Sequence, residues 1–324
     1  MKKLAQILGA IAAVLLAAFL FLRVPDTDKA EMRAKYATPP SQFVTLANGQ
    51  EVHLRDEGPR DAPAILLLHG SNADLSTWQP WVEALKGEYR VIRYDQIGHG
   101  LTGKANDEDY SPDRFVESVD LVADKLGLEQ FVLAGNSMGG GIAMAYAMAH
   151  PDRLDGLVLV DAGGAPVRRE SGGNLAFTLA RTPVAGNVMS QMLPRSIIEK
   201  SLRQSVSNQS IVTDSMVDRY YELARYPGNR DATRARFGIP YRTFTADDVA
   251  RIQVPTLVMW GEEDTLIPYE AAHWYMRHLP EATLASYRGI GHLPQEEAAE
   301  RSVADLREWV AATQSAQSSA EAVD

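Results

Sequence analysis

Short apolar runs alternate with amphipathic segments along most of this chain. Ala64-Ile65-Leu66-Leu67-Leu68, Phe131-Val132-Leu133-Ala134, Leu157-Val158-Leu159-Val160 and Val254 to Trp260 are continuous runs of strand length, the pattern of strands covered on both faces. Tyr89 to Tyr94 and Ala282 to Tyr287 read as further strands. Gln42 to Leu46 and Glu51 to Asp56 flank Asn48-Gly49, a strong hairpin turn signal. Between strands the period changes. Ser111-Pro112-Asp113 opens a helix, and Val116, Val119, Val122, Ala123 and Leu126 then recur at helical spacing. Strands alternating with helices predict an α/β fold with a parallel sheet covered on both faces.

Two stretches break this rhythm. The connection between the sixth and seventh predicted strands, about 165–245, is far too long for a plain crossover. It contains helical stretches at Arg195 to Val206 and Asp214 to Arg225. The other is the N-terminus, where Leu4 to Leu22 is almost uninterruptedly apolar, with Lys2 and Lys3 before it and Arg23 after. As a helix it would extend about 28 Å, close to the hydrocarbon thickness of a bilayer. It is longer than a signal-peptide core, and Phe19 to Arg23 offers no small-residue cleavage site. An uncleaved anchor is the expected reading, ahead of a cleaved signal and then of a buried helix. Arg23, Lys29, Arg33 and Lys35 would by themselves place the following flank inside. The signal-like layout, with so short a leading tail, points the other way. It places the domain outside the cytoplasm, on the periplasmic side of the inner membrane. The expected organisation is 1–23 anchor or signal, 24–40 tether ending in Pro39-Pro40, 41–164 and 246–313 core, 165–245 cap, and 314–324 disordered tail.

The chemistry begins at Gly135-Asn136-Ser137-Met138-Gly139, which directly follows an apolar strand and precedes the helix-forming segment Ile142 to His150. G-x-S-x-G at a strand-to-helix turn is a nucleophile elbow, with the serine in a strained backbone and its hydroxyl exposed. The helix N-terminus behind it favours a developing anion. A serine hydroxyl needs a base. His292, in Gly289-Ile290-Gly291-His292-Leu293-Pro294 after the last strand, is the candidate. Asp264, in the segment after Trp260, would orient the imidazole. Glu262, Glu263 and Asp161 are rival acids. The first oxyanion donor follows the nucleophile, the N–H of Met138; the second comes from the loop after Ala64 to Leu68, and Ser71 is the choice. His69 reads as structural.

With these pieces in place the chain resembles the α/β-hydrolase superfamily over about residues 41–313. The matching motifs are LLLHGS at 66–71, YDQIGHG at 94–100, GNSMGG at 135–140, GEEDTLIP at 261–268 and GIGHLP at 289–294. The resemblance implies a mostly parallel eight-stranded sheet, a helical cap over the pocket at 165–245, and the roles above for Ser137, Asp264, His292 and the N–H groups of Ser71 and Met138. It also implies that Asp95 shapes a turn beside the site without reacting. Relatives that form alkyl-enzymes place an aspartate where this chain has Ser137. The meta-cleavage C–C hydrolases often share GNSMGG but usually carry more glycine after the HG than Ser71-Asn72-Ala73 offers.

Composition adds limits. There is no cysteine among the 324 residues, so disulfides and thiolate metal sites are excluded. No HExxH, His-rich cluster or strand-following GxGxxG is present, and neither metal nor cofactor is expected. The cap segment holds eleven Arg and one Lys against six acids, a balance of +6 in a chain of net charge −10. Solvated and paired helix faces explain this most simply; attraction to lipid headgroups or an anionic substrate is the sharper alternative. No aromatic and basic interleaving points to nucleic acid. Trp78, Trp81, Trp260 and Trp274 read mostly as core. The expected function is a membrane-tethered serine hydrolase that cleaves a small-molecule carboxylic ester through an acyl-enzyme. The alternatives are a C–C hydrolase, a lactonase, a cofactor-free perhydrolase or haloperoxidase, and a binding protein with a vestigial triad. Oligomeric state is not expressed in the sequence.

Overall fold

The computed structural model describes residues 2–167, 186, 190–240 and 242–321. Eight strands, Gln42–Thr45 (β1), Glu51–Glu57 (β2), Ala64–Leu68 (β3), Arg90–Tyr94 (β4), Phe131–Asn136 (β5), Leu154–Val160 (β6), Thr256–Gly261 (β7) and Ala282–Tyr287 (β8), form one sheet in the order β1-β2-β4-β3-β5-β6-β7-β8. The β1–β2 and β2–β4 pairs are antiparallel and the rest parallel. The hairpin turns at Asn48-Gly49 as expected, with Gly49 at φ 81° and the Asn48 carbonyl side chain accepting from Gln50 N–H. β3, β4, β5 and β7 are buried along their whole length, which is why their sequences do not alternate. β8 closes the edge, and its half-exposed pattern accounts for the polar positions in Ala282–Tyr287.

Alternate residues feed two cores. Leu66 and Leu133 face one, packed with helices Pro112–Leu126 and Met138–Ala149. Ile65, Leu67, Val132 and Ala134 face the other, against Trp78, Trp81, Leu306 and Trp309. Ser111 caps Pro112–Leu126 by accepting from Arg114 N–H, and Gly127 ends it at φ 66°. Trp78, Trp81 and Trp260 are fully buried core residues. Trp81 donates to Ser302 Oγ at 2.9 Å and Trp260 to the Ile267 carbonyl at 3.2 Å.

Part of the long insertion, 168–185, 187–189 and 241, lies outside the described residues. The rest contains helices Arg195–Ser205, Asp214–Ala224 and Asn229–Gly238, in line with the helical stretches read from sequence. Leu202, Val206, Met216, Val217 and Tyr220 pack together and onto Leu293, the residue after His292. Most of the cap's surplus arginines meet acids. Arg195 pairs with Asp214 and Asp218, Arg203 with Glu199, Arg230 with Asp26 and Arg242 with Asp113.

Two expectations about the ends differ from the structure. The segment 24–40, read as a tether, contains helix Lys29–Tyr36 and is bonded to the cap. Thr27 N–H donates to Arg225 O at 3.0 Å, Lys35 and Tyr36 both bond Glu222, and Met32 is buried against Leu223 and Tyr226. Several of its polar side chains bond the cap while staying partly exposed, which composition alone does not distinguish. The tail, read as disordered, continues helix Ala299–Glu321. Helix Lys2–Leu22 precedes all of this, with no part of it buried inside the fold.

The cap is latched to the core by charge. Arg219 Nε donates to Asp74 at 3.1 Å, and within the core Thr77 Oγ1 donates to Glu296 at 2.5 Å. Although Glu296 keeps some exposed surface, its carboxyl is enclosed, and burial pushes it up to about 7 against the opposing pull of Thr77 and Arg219. The folded chain therefore holds a proton here that the unfolded chain, with its ordinary value of 4.5, has released. This group's contribution to stability falls as pH rises from there to about 7, and is flat above. Glu296→Gln should flatten that part of the profile in urea unfolding measured across this range; an unchanged slope would show that the carboxyl titrates normally.

Candidate active site

β5 ends at Asn136 and helix Met138–Ala149 begins one residue past Ser137. Nothing but glycine fits the crossing. A Cβ on Gly135 would lie 2.3 Å from Gly139 O, and one on Gly139 would lie 2.3 Å from Leu68 O. Strand and helix therefore approach at backbone contact, and Ser137 absorbs the turn at φ 56°, ψ −116°. Such a conformation costs a non-glycine residue roughly 1–3 kcal/mol and persists only where the surroundings enforce it. Here they do: Ser137 N–H donates to Val160 O at 3.0 Å, and Ser137 O accepts from Gly163 N–H at 2.9 Å.

Asp264 and His292 meet directly. The ring Nδ1 donates to Asp264 Oδ2 at 2.6 Å, and both residues are buried. The other oxygen of Asp264 accepts from the N–H groups of Leu266 and Ile267, at 2.7 and 3.1 Å. These bonds fix the carboxylate before the ring arrives. His292 is also held through its main chain: its N–H donates to Ser205 O of the cap at 2.8 Å, and its carbonyl accepts from Asn136 Nδ2 at 3.1 Å. Asn136, adjacent to Ser137, thus ties the serine turn to the histidine loop. Sequence reading missed this role, although the residue stands inside the GNSMGG motif. The Ser137 hydroxyl bonds no described residue. Such pairs commonly tighten only when substrate is present.

The rival acids separate by environment. Glu262 and Glu263 are exposed. Asp161, at the end of β6 with φ 44°, is fully buried. One of its oxygens accepts from Gly261 N–H at 3.1 Å and the other has no partner. Burial, and then the negative charge of Asp264, push its carboxyl well above the usual range. It stands behind Asp264 and makes no bond to the ring. Asp161, Asp264 and His292 bring their polar atoms within 4.8 Å of one another. That cluster does not fit a metal, because two ligands on one tetrahedral zinc stand about 3.3 Å apart, and the Nδ1–Oδ2 separation is 2.6 Å.

Beside the serine, the loop after β3 carries Ser71. The main-chain N–H groups of Ser71 and Met138 bond no described residue, as required of groups kept for a ligand. His69 is structural as expected: its ring donates to Gly70 O at 2.8 Å, accepts from Gln96 N–H at 3.0 Å, and is kept from protonation by burial. Asp95 accepts from Leu75 N–H, Leu101 N–H and His53, and so shapes its turn without facing the serine. Arg236, from helix Asn229–Gly238, reaches both Ser71 Oγ and Met138 Sδ, at 2.9 and 3.4 Å. No spacing in the sequence marks this residue.

Residues 63–299 match the family model described as the alpha/beta hydrolase fold. A 2-hydroxymuconate semialdehyde hydrolase of Pseudomonas putida is 30% identical, over 83% of this chain and 94% of that protein. Among solved structures, a meta-cleavage product hydrolase from Pseudomonas fluorescens is 25% identical with a TM-score of 0.71, over 83% of this chain and 96% of its own. A bacterial membrane phospholipase A is likewise 25% identical, with a TM-score of 0.70, and the match covers 97% of this chain and 99% of that one.

The two buried acids make opposite predictions. Asp264→Asn removes the charge that faces the ring and should lower turnover by about three to four orders of magnitude. Asp161→Asn keeps the shape of a side chain that bonds Gly261 N–H and not the ring, and should stay within a few-fold of wild type. Steady-state rates on a chromogenic ester decide; a crippled Asp161→Asn would reverse the assignment.

Proposed function

This chain belongs to the alpha/beta hydrolase fold family, and from that premise we propose that it is a serine hydrolase in which Ser137 attacks a carbonyl carbon. The observation that carries the reading is the Ser137 turn at φ 56°, tied through Asn136 to the main chain of His292, whose imidazole is hydrogen-bonded to Asp264. His292 takes the hydroxyl proton as Ser137 bonds to the carbonyl carbon. Asp264 stabilises the imidazolium. The N–H groups of Ser71 and Met138 receive the oxyanion. His292 then returns the proton to the leaving group, and a water deprotonated by the same ring releases the acyl group as an acid. None of these steps calls for a metal or cofactor.

For the bond that is cleaved, the named relatives favour a carbon–carbon bond over the ester expected from sequence. Several are 2-hydroxy-6-oxo-dienoate or 2-hydroxymuconate semialdehyde hydrolases. In that chemistry the proton from His292 goes to carbon. One specific observation supports the ester reading. The membrane phospholipase A is matched over 97% of this chain, N-terminal helix included, whereas the meta-cleavage product hydrolases reach 83%. An ester at a bilayer surface would suit a catalytic domain carried on helix Lys2–Leu22, whose Leu4, Ile7, Leu8, Ile11, Val14 and Phe21 are exposed. That helix has the length and composition of a membrane span. We place it in the inner membrane with the domain on the periplasmic side.

A fluorophosphonate probe should label wild type and not Ser137→Ala; labelling that survives the substitution would remove the nucleophile assignment. Parallel rates on a meta-cleavage dienoate, a p-nitrophenyl ester series and phospholipid vesicles identify the bond. Turnover of the dienoate alone supports carbon–carbon cleavage; turnover of esters or phospholipid alone supports the second reading. Deleting residues 2–22 should move the protein from the membrane to the soluble fraction while probe labelling persists. Continued sedimentation with membranes would refute the anchor.

A further inference from the structure

Arg236 is a buried cation that meets no acid among the described residues. Its residue is 9% exposed, and no carboxylate among the described residues pairs with it, unlike Arg195, Arg203, Arg219, Arg230 and Arg242 of the same cap. Its bonds all go to neutral acceptors. Nη1 donates to Ser71 Oγ at 2.9 Å and Met138 Sδ at 3.4 Å, and Nη2 donates to Asn72 Oδ1 and Thr233 Oγ1, both at 3.1 Å. Nε has no partner. Burial lowers its proton affinity to about 10, which still leaves it charged at neutral pH. Holding an uncompensated charge away from water is expensive, and among the described residues no carboxylate offsets it.

The two side chains on Nη1 belong to Ser71 and Met138, the two residues whose main-chain N–H groups bond no described residue and are proposed above to receive the oxyanion. We propose that Arg236 is the positioning residue of the oxyanion site: it fixes Ser71 and Met138 from the cap side, and its charge offsets the negative charge that forms on the carbonyl oxygen. This rests on Ser137 being the nucleophile. The missing counter-charge is then transient, present in the tetrahedral intermediate and absent in the ground state. Interactions of that kind raise turnover rather than binding. In an enclosed site the charge acts at reduced screening. Because Arg236 rides on helix Asn229–Gly238, the oxyanion site is complete only while this part of the cap is seated.

The test uses the full-length protein and two probes that need no knowledge of the natural substrate. These are a neutral fluorophosphonate, which builds negative charge on its phosphoryl oxygen as Ser137 attacks, and an alkyl boronic acid, which binds the serine as a tetrahedral anion. Arg236→Gln should slow phosphonylation about ten- to a hundredfold and weaken boronate binding by a similar factor, with KM for a neutral ester near wild type. Arg236→Lys, which keeps the charge and loses the fork, should fall between. Ser71→Ala, which keeps the main-chain N–H and removes one acceptor, should lose less than Arg236→Gln. Thermal unfolding checks each variant, and if Arg236→Gln does not fold, the other two decide. Wild-type phosphonylation rates in folded variants would overturn the proposal. So would a loss seen only in KM, a loss with unchanged boronate affinity, or a loss confined to anionic substrates, which would make Arg236 a substrate-binding group. Failure of the wild type to label at Ser137 would instead strike the nucleophile reading beneath it.

Discussion

At the end of β5, backbone lies against backbone. Gly139 lies so near the Leu68 carbonyl, and Gly135 so near Gly139, that a methyl group at either position has no room. The chain turns from strand to helix there in a single residue, so Ser137 is driven to positive φ and its hydroxyl is lifted to the rim of the sheet. The local cost is of order 1–3 kcal/mol. It is met by the pairing of β5 with β3 and β6, which leaves the turn no alternative path.

The histidine loop is held by the same principle, through main-chain rather than side-chain bonds. His292 is gripped by Ser205 O above, by Asn136 from the serine side, and by the Asp264 carboxylate at its ring. Glu297 accepts from Gly291 N–H and from Ser207 and Asn208 N–H of the cap. The position of the imidazole therefore depends on the cap as much as on the sheet. Behind Asp264 lies Asp161, whose carboxyl is pushed well above the usual range by burial and by the Asp264 charge, and which bonds Gly261 N–H rather than the ring.

The cap's basic character has two parts. On its surface the arginines are balanced by acids of the cap, the N-terminal segment and the core, which is the ordinary solvated arrangement. In its interior one guanidinium is left without an acid and is aimed at the oxyanion loop. Net charge counts both equally, whereas burial separates a charge that water screens from one that the site feels.

Much of the architecture was legible in the linear pattern because it is local. Continuous apolar runs marked the buried strands, Asn48-Gly49 marked the hairpin, and Ser111-Pro112 opened a helix whose apolar positions run to Leu126. The glycines around Ser137 marked the elbow, since close backbone approach demands that residue type. Segment 24–40 was misread because polarity suggests solvent, whereas Lys35, Tyr36 and Met32 have partners supplied nearly two hundred positions away. The choice of Asp264 over Asp161 had the same limit: both follow buried strands, and only the folded geometry shows which carboxylate meets the ring. Asn136 and Arg236 lie furthest from what sequence can say. Spacing along the chain specifies residue type and backbone turn; contact between distant side chains, and the presence or absence of a counter-charge beside a buried one, exist only once the layers have packed.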